Sequence, residues 1–195
     1  MRDNLTEQAS DTAVRYAIEP RTSRFTVRVS ASGVLSALGH NPTIAIRSFS
    51  GELRFNPENS SEDSLRIVAQ ASSLAVMDDI SDKDRREIES QMQEEVLESS
   101  RYPEIVYDCS RVSANRKSEG QYEVILDGNL TLHGVTRAQS ISAKVAVTGE
   151  SVRTFGEFSA RQSDYGIRLV SALGGALKVK DEVKFVFDIV ARKQG

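Results

Sequence analysis

Hydrophobic and polar residues alternate with a period of two along most of the chain from Tyr16 onward. In the segment RFTVRVSA, Phe25, Val27 and Val29 share one side of an extended chain, and the residues between them are polar. The same pattern recurs in the segments SLRIVAQA, YEVILDGNLTL, SISAKVAV and KFVFDIVAR. Such alternation predicts β-strands with one buried face and one solvated face.

The alternation slips by one residue in the segment TIAIRSFSGELRF. Ile44 and Ile46 occupy even positions, whereas Phe49 and Phe55 occupy odd positions. A slip of one residue moves every following side chain to the opposite face of a strand. We therefore expect a bulge or a sharp bend near residues 47–50.

One segment, SDKDRREIESQMQEEVLESS, has a different period. Its apolar residues recur at a spacing of four, which is typical of a helix: Ile88, Met92 and Val96. Ser81 is a suitable N-cap, and Arg85 and Glu89 are placed for a surface ion pair. The narrow apolar stripe predicts a helix that lies over a sheet or over the mouth of a barrel.

About eight strands joined by short turns, with one helix, predict an all-β fold. We expect an extended antiparallel β-barrel, because closure removes both exposed edges of the sheet. Small residues share the phase of the apolar face: Ala31, Ala69, Ala71, Gly128, Ala143 and Gly156. They favour a cavity, although a tapered and filled core also needs small residues.

Length and composition fit one soluble domain, with 195 residues of which 39% are hydrophobic and 27% are charged. We expect a loose N-terminal tail over residues 1–13 and a single domain over 14–192. The net charge of -3 and the scattered basic residues argue against nucleic acid as a partner. The chain has neither an apolar leader nor a run long enough to span a membrane, which predicts a cytoplasmic location.

Few residues are candidates for chemistry. Cys109 is the single cysteine, and the spacing of the two histidines matches no common metal motif. His133 and Gly134 lie between two alternating segments, where a two-residue hairpin turn needs positive φ angles. His133 can therefore be a turn residue, a contact for a ligand headgroup, or a metal ligand together with His40 and a carboxylate.

Several short motifs, in order, resemble those of the YceI-like, polyisoprenoid-binding family. The segment LDGNLTLHGVTRAQSISAKV resembles the signature hairpin of that family, which reads Gly-x-Leu-Thr-Ile-His-Gly-Val-Thr-Arg. Further similar segments are YAIEPRTSRFTVRV, FSGELRFNPEN, SSRYPEIVYDCSRV, SARQSDYGI and VKDEVKFVFDI. Together they cover about residues 15–192.

The resemblance implies a lipocalin-like barrel that binds a long isoprenoid or other fatty chain without catalysis, and that often forms dimers. We therefore expect no cofactor, a long-chain lipid or isoprenoid as ligand, and a possible homodimer. The resemblance places Tyr165 and Ile167 near the mouth of the channel and His133, Thr136 and Arg137 in the signature turn. The residues expected to line the channel are Phe25, Val27, Val29, Phe55, Ile67, Val124, Leu126, Ile141, Val145, Phe185 and Phe187.

Two other functions compete with the binding of an apolar chain. An enzyme or metal site could use His133 or His40 at the barrel mouth. Alternatively, a filled barrel could serve as a protein-interaction module that docks through the acidic end of its helix, at Glu94, Glu95 and Glu98.

Overall fold

The computed structural model describes residues 13–32, 42–56, 62–169, 171–172 and 177–195. His40 and most of the expected N-terminal tail therefore lie outside the described residues. Within them, the chain forms one antiparallel sheet of twelve strands. The strands are β1 Val14–Ile18, β2 Arg24–Ser32, β3 Thr43–Ile46, β4 Phe49–Phe55, β5 Ser64–Gln70, β6 Leu74–Val76, β7 Glu104–Ser118, β8 Gln121–Leu132, β9 Val135–Thr148, β10 Ser151–Arg161, β11 Ser171–Ala172 and β12 Leu177–Lys193.

Eight of these strands form a closed barrel in the order β1-β4-β5-β7-β8-β9-β10-β12. The ring closes where β1 pairs with β12, with Tyr16 opposite Lys193 and Ile18 opposite Ala191. Residues of alternating phase point into this ring and are buried, as their period of two predicts. The predicted all-β barrel is confirmed.

The remaining short strands extend the sheet beyond the ring, from β12 through β2 and β3 to β6, with β11 also paired to β12. The predicted bend is found here, because β3 ends at Ile46 and β4 begins at Phe49. β3 pairs with β2 and β6, whereas β4 pairs with β1 and β5. The bend therefore carries the chain from the extension into the barrel wall, and it changes which face is buried.

The single α-helix of the described residues, α1, spans Asp82–Gln91 and continues as a wider π-type turn to Val96. Ser81 caps it, since its hydroxyl accepts a hydrogen bond from the N–H of Asp84 at 3.1 Å. The helix follows the sixth strand, and the short strands β3 and β6 that precede it have only four and three residues. Such short strands give too few alternating positions to be recognised as separate elements.

Two side chains of α1 cover the free edge of β6. Arg85 donates to the carbonyl of Val76 and, at 2.8 Å, to that of Asp78. Glu89 accepts from the N–H of Val76 at 2.8 Å. These contacts replace the predicted surface pair between Arg85 and Glu89. The charged helix thus satisfies a strand edge that would otherwise be open to pairing with another chain.

The barrel wall is incomplete between β9 and β10. The two strands pair only from Ala143 opposite Gly156 to Thr148 opposite Ser151. Within the described residues, no strand pairing joins residues 135–142 of β9 to residues 157–161 of β10. We call this opening, bounded by those two ranges, the lateral gap.

Asp63 is a buried carboxyl group directly before β5, with 1% of its surface exposed. One oxygen accepts from the N–H of Asn56 at 2.7 Å, and Oδ2 has no hydrogen-bond partner within the described part of the chain. Because burial penalises the charged form, the pKa of Asp63 rises from 3.8 to about 6, even though the Asn56 hydrogen bond lowers it.

We predict that Asp63→Asn changes how stability depends on pH. The folded pKa of Asp63 lies above the unfolded one, so its contribution to stability is fully present below the unfolded pKa and is lost as pH rises toward 6. The rise of the Asp63 pKa from 3.8 to about 6 corresponds to a loss of about 3 kcal/mol in the free energy of unfolding between roughly pH 4 and pH 7. Urea unfolding of both proteins across this range measures it, because all other titrating groups are common to the pair. Parallel stability curves would contradict the prediction.

Candidate functional site

The interior of the barrel contains an apolar cavity, which we call the inner cavity. The inner cavity has a volume of about 70 Å³, several times the roughly 15 Å³ that one water molecule needs. Tyr107 and Thr154 contribute its only polar side chains. The other lining residues are Ile18, Phe25, Leu53, Phe55, Leu65, Ile67, Ala69, Ile105, Val112, Val124, Leu126, Leu130, Ile141, Val145, Val152, Phe158, Phe185, Phe187, Ile189 and Ala191.

A second apolar cavity of about 110 Å³, the outer cavity, lies between the barrel and α1. The predicted helix stripe faces it, and within the described part of the chain Gln91 and Gln162 are its polar side chains. The remaining lining residues are Val27, Val29, Pro42, Ile44, Leu74, Ile88, Met92, Val96, Leu97, Ile105, Leu132, Ile167, Val179, Val183 and Phe185. The prediction that the apolar stripe of the helix lies over a sheet or over the mouth of a barrel is thus confirmed.

Aromatic rings stand where the two cavities meet. Phe185 and Ile105 line both cavities. The Phe185 ring stacks on that of Phe158 with centroids 4.7 Å apart, and the ring of Phe25 lies 6.3 Å away at a tilt. The two cavities therefore adjoin at Phe185 and Ile105, and a chain that filled both would pass this aromatic cluster.

Two of the small inward residues, Gly128 and Gly156, were expected to favour a cavity but do not enlarge it. A Cβ atom at Gly128 would lie 2.8 Å from the Tyr107 hydroxyl, and one at Gly156 would lie 2.9 Å from the ring of Phe187. The space at each glycine is thus filled by a neighbouring aromatic ring. Ala69, by contrast, does line the inner cavity.

The Tyr107 side chain, which fills the space at Gly128, makes defined polar contacts with the barrel wall. Its hydroxyl lies 2.9 Å from the carbonyl oxygen of Leu126 and 3.0 Å from that of Gln139, and it donates to this pair. Burial raises the pKa of Tyr107, so the hydroxyl keeps its proton. The hydroxyl is therefore committed to the wall, which leaves the cavity almost wholly apolar.

The structure brings most of the predicted channel residues together. Val27, Val29 and Ile167 line the outer cavity, and Phe185 lines both. The predicted residues on the inner cavity are Phe25, Phe55, Ile67, Val124, Leu126, Ile141, Val145 and Phe187. Sequence reasoning missed several others in the same phase, including Leu65, Val152 and Ile189, which the alternation alone could have identified.

His133 and Tyr165 line neither cavity. Nε2 of His133 is 2.7 Å from Oε2 of Glu98, and Nδ1 is 3.3 Å from the carbonyl oxygen of Tyr165. The Tyr102 ring packs against the imidazole with centroids 4.4 Å apart. We call this set, His133 with Glu98, Tyr102 and Tyr165, the His133 clamp. It gives both ring nitrogens a partner and leaves 11% of the side chain exposed.

The turn at His133 has the predicted backbone geometry, with φ of 52° at His133 and 73° at Gly134. It also brings together two of the segments on which the family resemblance depends. Besides the contact of His133 with Tyr165, Nε of Arg137 donates to the carbonyl of Asp164 at 2.9 Å. The signature hairpin therefore holds the turn Gln162–Tyr165 that follows β10.

Other reactive groups have ordinary surroundings. Cys109 is buried, and burial raises the pKa of its thiol, which makes it a poor nucleophile. Among the described residues, no group of three His, Cys, Asp or Glu side chains is arranged to hold a metal ion. Within the same ranges, no helix has the length and apolar character needed to cross a membrane.

Comparison with known proteins agrees with the motifs. The family model of the YceI-like domain matches residues 16–191. Among curated protein sequences, none matches this chain.

Solved structures share the fold at low sequence identity. The chain is similar to BcnA of Burkholderia cenocepacia, with a TM-score of 0.68 and 16% identity over 89% of this chain and 98% of that one. A polyisoprenoid binding domain from Saccharophagus degradans, implicated in plant cell wall breakdown, gives a TM-score of 0.68 and 13% identity over 93% and 99%. The YceI protein of Campylobacter jejuni gives a TM-score of 0.61 and 12% identity over 80% and 87%.

We predict that His133→Gln lowers the free energy of unfolding by about 1–3 kcal/mol, because a partly buried hydrogen-bonded pair with Glu98 is lost. Affinity for an uncharged isoprenoid alcohol should be unchanged, since His133 touches neither cavity. Urea unfolding and a ligand titration measure the two effects. Glu95→Gln is the matched control, because Glu95 contacts only Gln91 on the helix surface. Reduced ligand affinity with unchanged stability would contradict the structural role of His133.

Proposed function

Because this chain belongs to the YceI-like family, we propose that it binds a long apolar chain inside its barrel and carries or sequesters it without catalysis. The observation that carries the proposal is the pair of adjoining apolar cavities, one in the barrel interior and one beneath α1. Transferring each methylene of a ligand from water into such walls contributes about 0.8 kcal/mol. Affinity would therefore come mainly from the length of chain buried.

The cavity walls favour a slender and uncharged tail. Among the described residues, neither lining contains a Lys, Arg, His, Asp or Glu side chain. A charged group buried there would have no partner, and burying an unpaired charge is costly. An isoprenoid or fatty chain meets these requirements, and a polyisoprenoid is the ligand class named for the Saccharophagus degradans domain.

The same geometry supports a role in binding rather than in catalysis. The described lining of the inner cavity offers no free acid, base or nucleophile, and its Tyr107 hydroxyl is engaged by backbone carbonyls. His133, the candidate base, has both nitrogens occupied in the His133 clamp.

We predict that Ala69→Leu reduces affinity for the apolar ligand at least tenfold. Ala69 lines the inner cavity with 1% of its surface exposed, so the added carbons occupy ligand space. The measurement is titration with an isoprenoid alcohol, followed by native mass spectrometry. Overpacking is expected to cost about 1–3 kcal/mol of stability, which unfolding experiments would report separately.

Ala75→Leu is the matched control for this experiment. It makes the same change on β6, at a residue that lines neither cavity. We expect it to bind like the wild type. Equal ligand occupancy in the wild type and a folded Ala69→Leu protein would reject the cavity as the binding site.

A further inference from the structure

The lateral gap between β9 and β10 contains a polar hollow on the outside of the barrel, which we call the gap pocket. It encloses about 330 Å³. Its polar lining comes from both strands and from the turn that the His133 clamp holds. The lining residues are Arg137, Ala138, Gln139, Ser159, Ala160, Arg161, Asp164, Tyr165 and Glu182.

The gap pocket adjoins the inner cavity. Ile141 lies two residues beyond Gln139 on β9, and Phe158 directly precedes Ser159 on β10; both Ile141 and Phe158 line the inner cavity. Ala160, which lines the gap pocket, is buried. Since β9 and β10 are unpaired at this level, side chains rather than a hydrogen-bonded ladder separate the polar hollow from the apolar one.

Two arginine side chains supply hydrogen-bond donors in the gap pocket. Arg137 uses Nε to bind the carbonyl of Asp164, which leaves its terminal nitrogens available. Neither Arg137 nor Arg161 forms an ion pair within the described ranges. Guanidinium groups match the geometry of phosphate and carboxylate oxygens.

Two carboxylates limit the affinity of the gap pocket for a free anion. Asp164 and Glu182 line the same hollow, so its formal charge balances to zero. Glu182 lies opposite Arg161 in the ladder between β10 and β12. A small free anion would therefore bind weakly, whereas an anion tethered to a buried tail would be held at a high local concentration beside the arginines.

We propose that the gap pocket binds the anionic headgroup, a phosphate or carboxylate, of an amphiphile whose tail occupies the inner cavity. The proposal rests on the proposed function, since the tail supplies most of the affinity. The headgroup adds directional hydrogen bonds from Arg137 and Arg161. The barrel would then bind its ligand through the side of its wall as well as along its axis.

The test compares geranylgeranyl monophosphate with geranylgeraniol, which have the same tail and differ only in the headgroup. Wild-type protein should bind the phosphate roughly tenfold more tightly, as expected for one or two charge-assisted hydrogen bonds at a partly exposed site. Arg161→Gln should remove this preference and leave affinity for the alcohol unchanged. Arg137→Gln should do the same, and Glu182→Gln should strengthen phosphate binding.

Arg21→Gln is the matched control, because Arg21 lies in the exposed turn Pro20–Thr22, outside the gap pocket. Arg161→Gln keeps the test valid if Arg137→Gln unfolds the turn, since the Arg161 guanidinium makes no hydrogen bond or ion pair within the described part of the chain. Titration with inorganic phosphate alone should give no saturation at the concentrations that saturate the lipid.

Each alternative result is informative. Equal affinity for the alcohol and the phosphate in wild-type protein would overturn the headgroup site and leave the proposed function intact. Failure of both lipids to bind would overturn the proposed function itself. Inorganic phosphate that binds as tightly as the lipid would also overturn the inference, because the site would then serve a free anion. A loss for both lipids in Arg161→Gln would assign that residue a structural role instead.

Discussion

The hollow interior depends on a short seam between the first and last strands. Only three residue pairs, from Tyr16–Lys193 to Ile18–Ala191, join β1 to β12 and close the ring. Without them the sheet would have two long open edges and no enclosed space. The seam is reinforced at its end, where Glu19 donates its N–H to the carbonyl of Val190 at 2.8 Å and its carboxylate pairs with Arg192 at 2.8 Å.

The chain segment next to this seam also explains the outer cavity. The turn Pro20–Thr22 interrupts the chain between β1 and β2, so both strands pair with the one long strand β12 at different heights. β1 closes the ring, whereas β2 leads out to β3 and β6, over which α1 is fixed by Arg85 and Glu89. A proline suits this break, because it has no N–H to donate to a strand ladder. The outer cavity is therefore a consequence of the interrupted first strand.

Much of the barrel could be predicted from the sequence, because a period of two assigns each residue to one face without knowledge of its partner. Phe55, Val124 and Phe187 were placed correctly on this basis, and the slip between Ile46 and Phe49 revealed the bend. Residues whose role depends on a distant partner could not be placed. The position of Glu98 near the negative end of a helix has no local explanation, and its reason is the imidazole of His133, 35 residues away. Likewise, the pattern at Gly128 and Gly156 leaves a cavity and a filled core both open, because it contains no information about which aromatic ring reaches each glycine.

The His133 clamp touches neither cavity, yet it positions the chain around the lateral gap. It holds the turn after β10 against the hairpin between β8 and β9, at the end of the lateral gap where β9 and β10 are unpaired. β9 and β10 are paired only at the opposite end, so the clamp fixes how far the two strands diverge. Its contacts run through backbone carbonyls and a carboxylate, which position the chain and leave the side chains of Arg137 and Arg161 facing the gap pocket. A residue that sets the width of an opening in this way can define a binding site while remaining outside it.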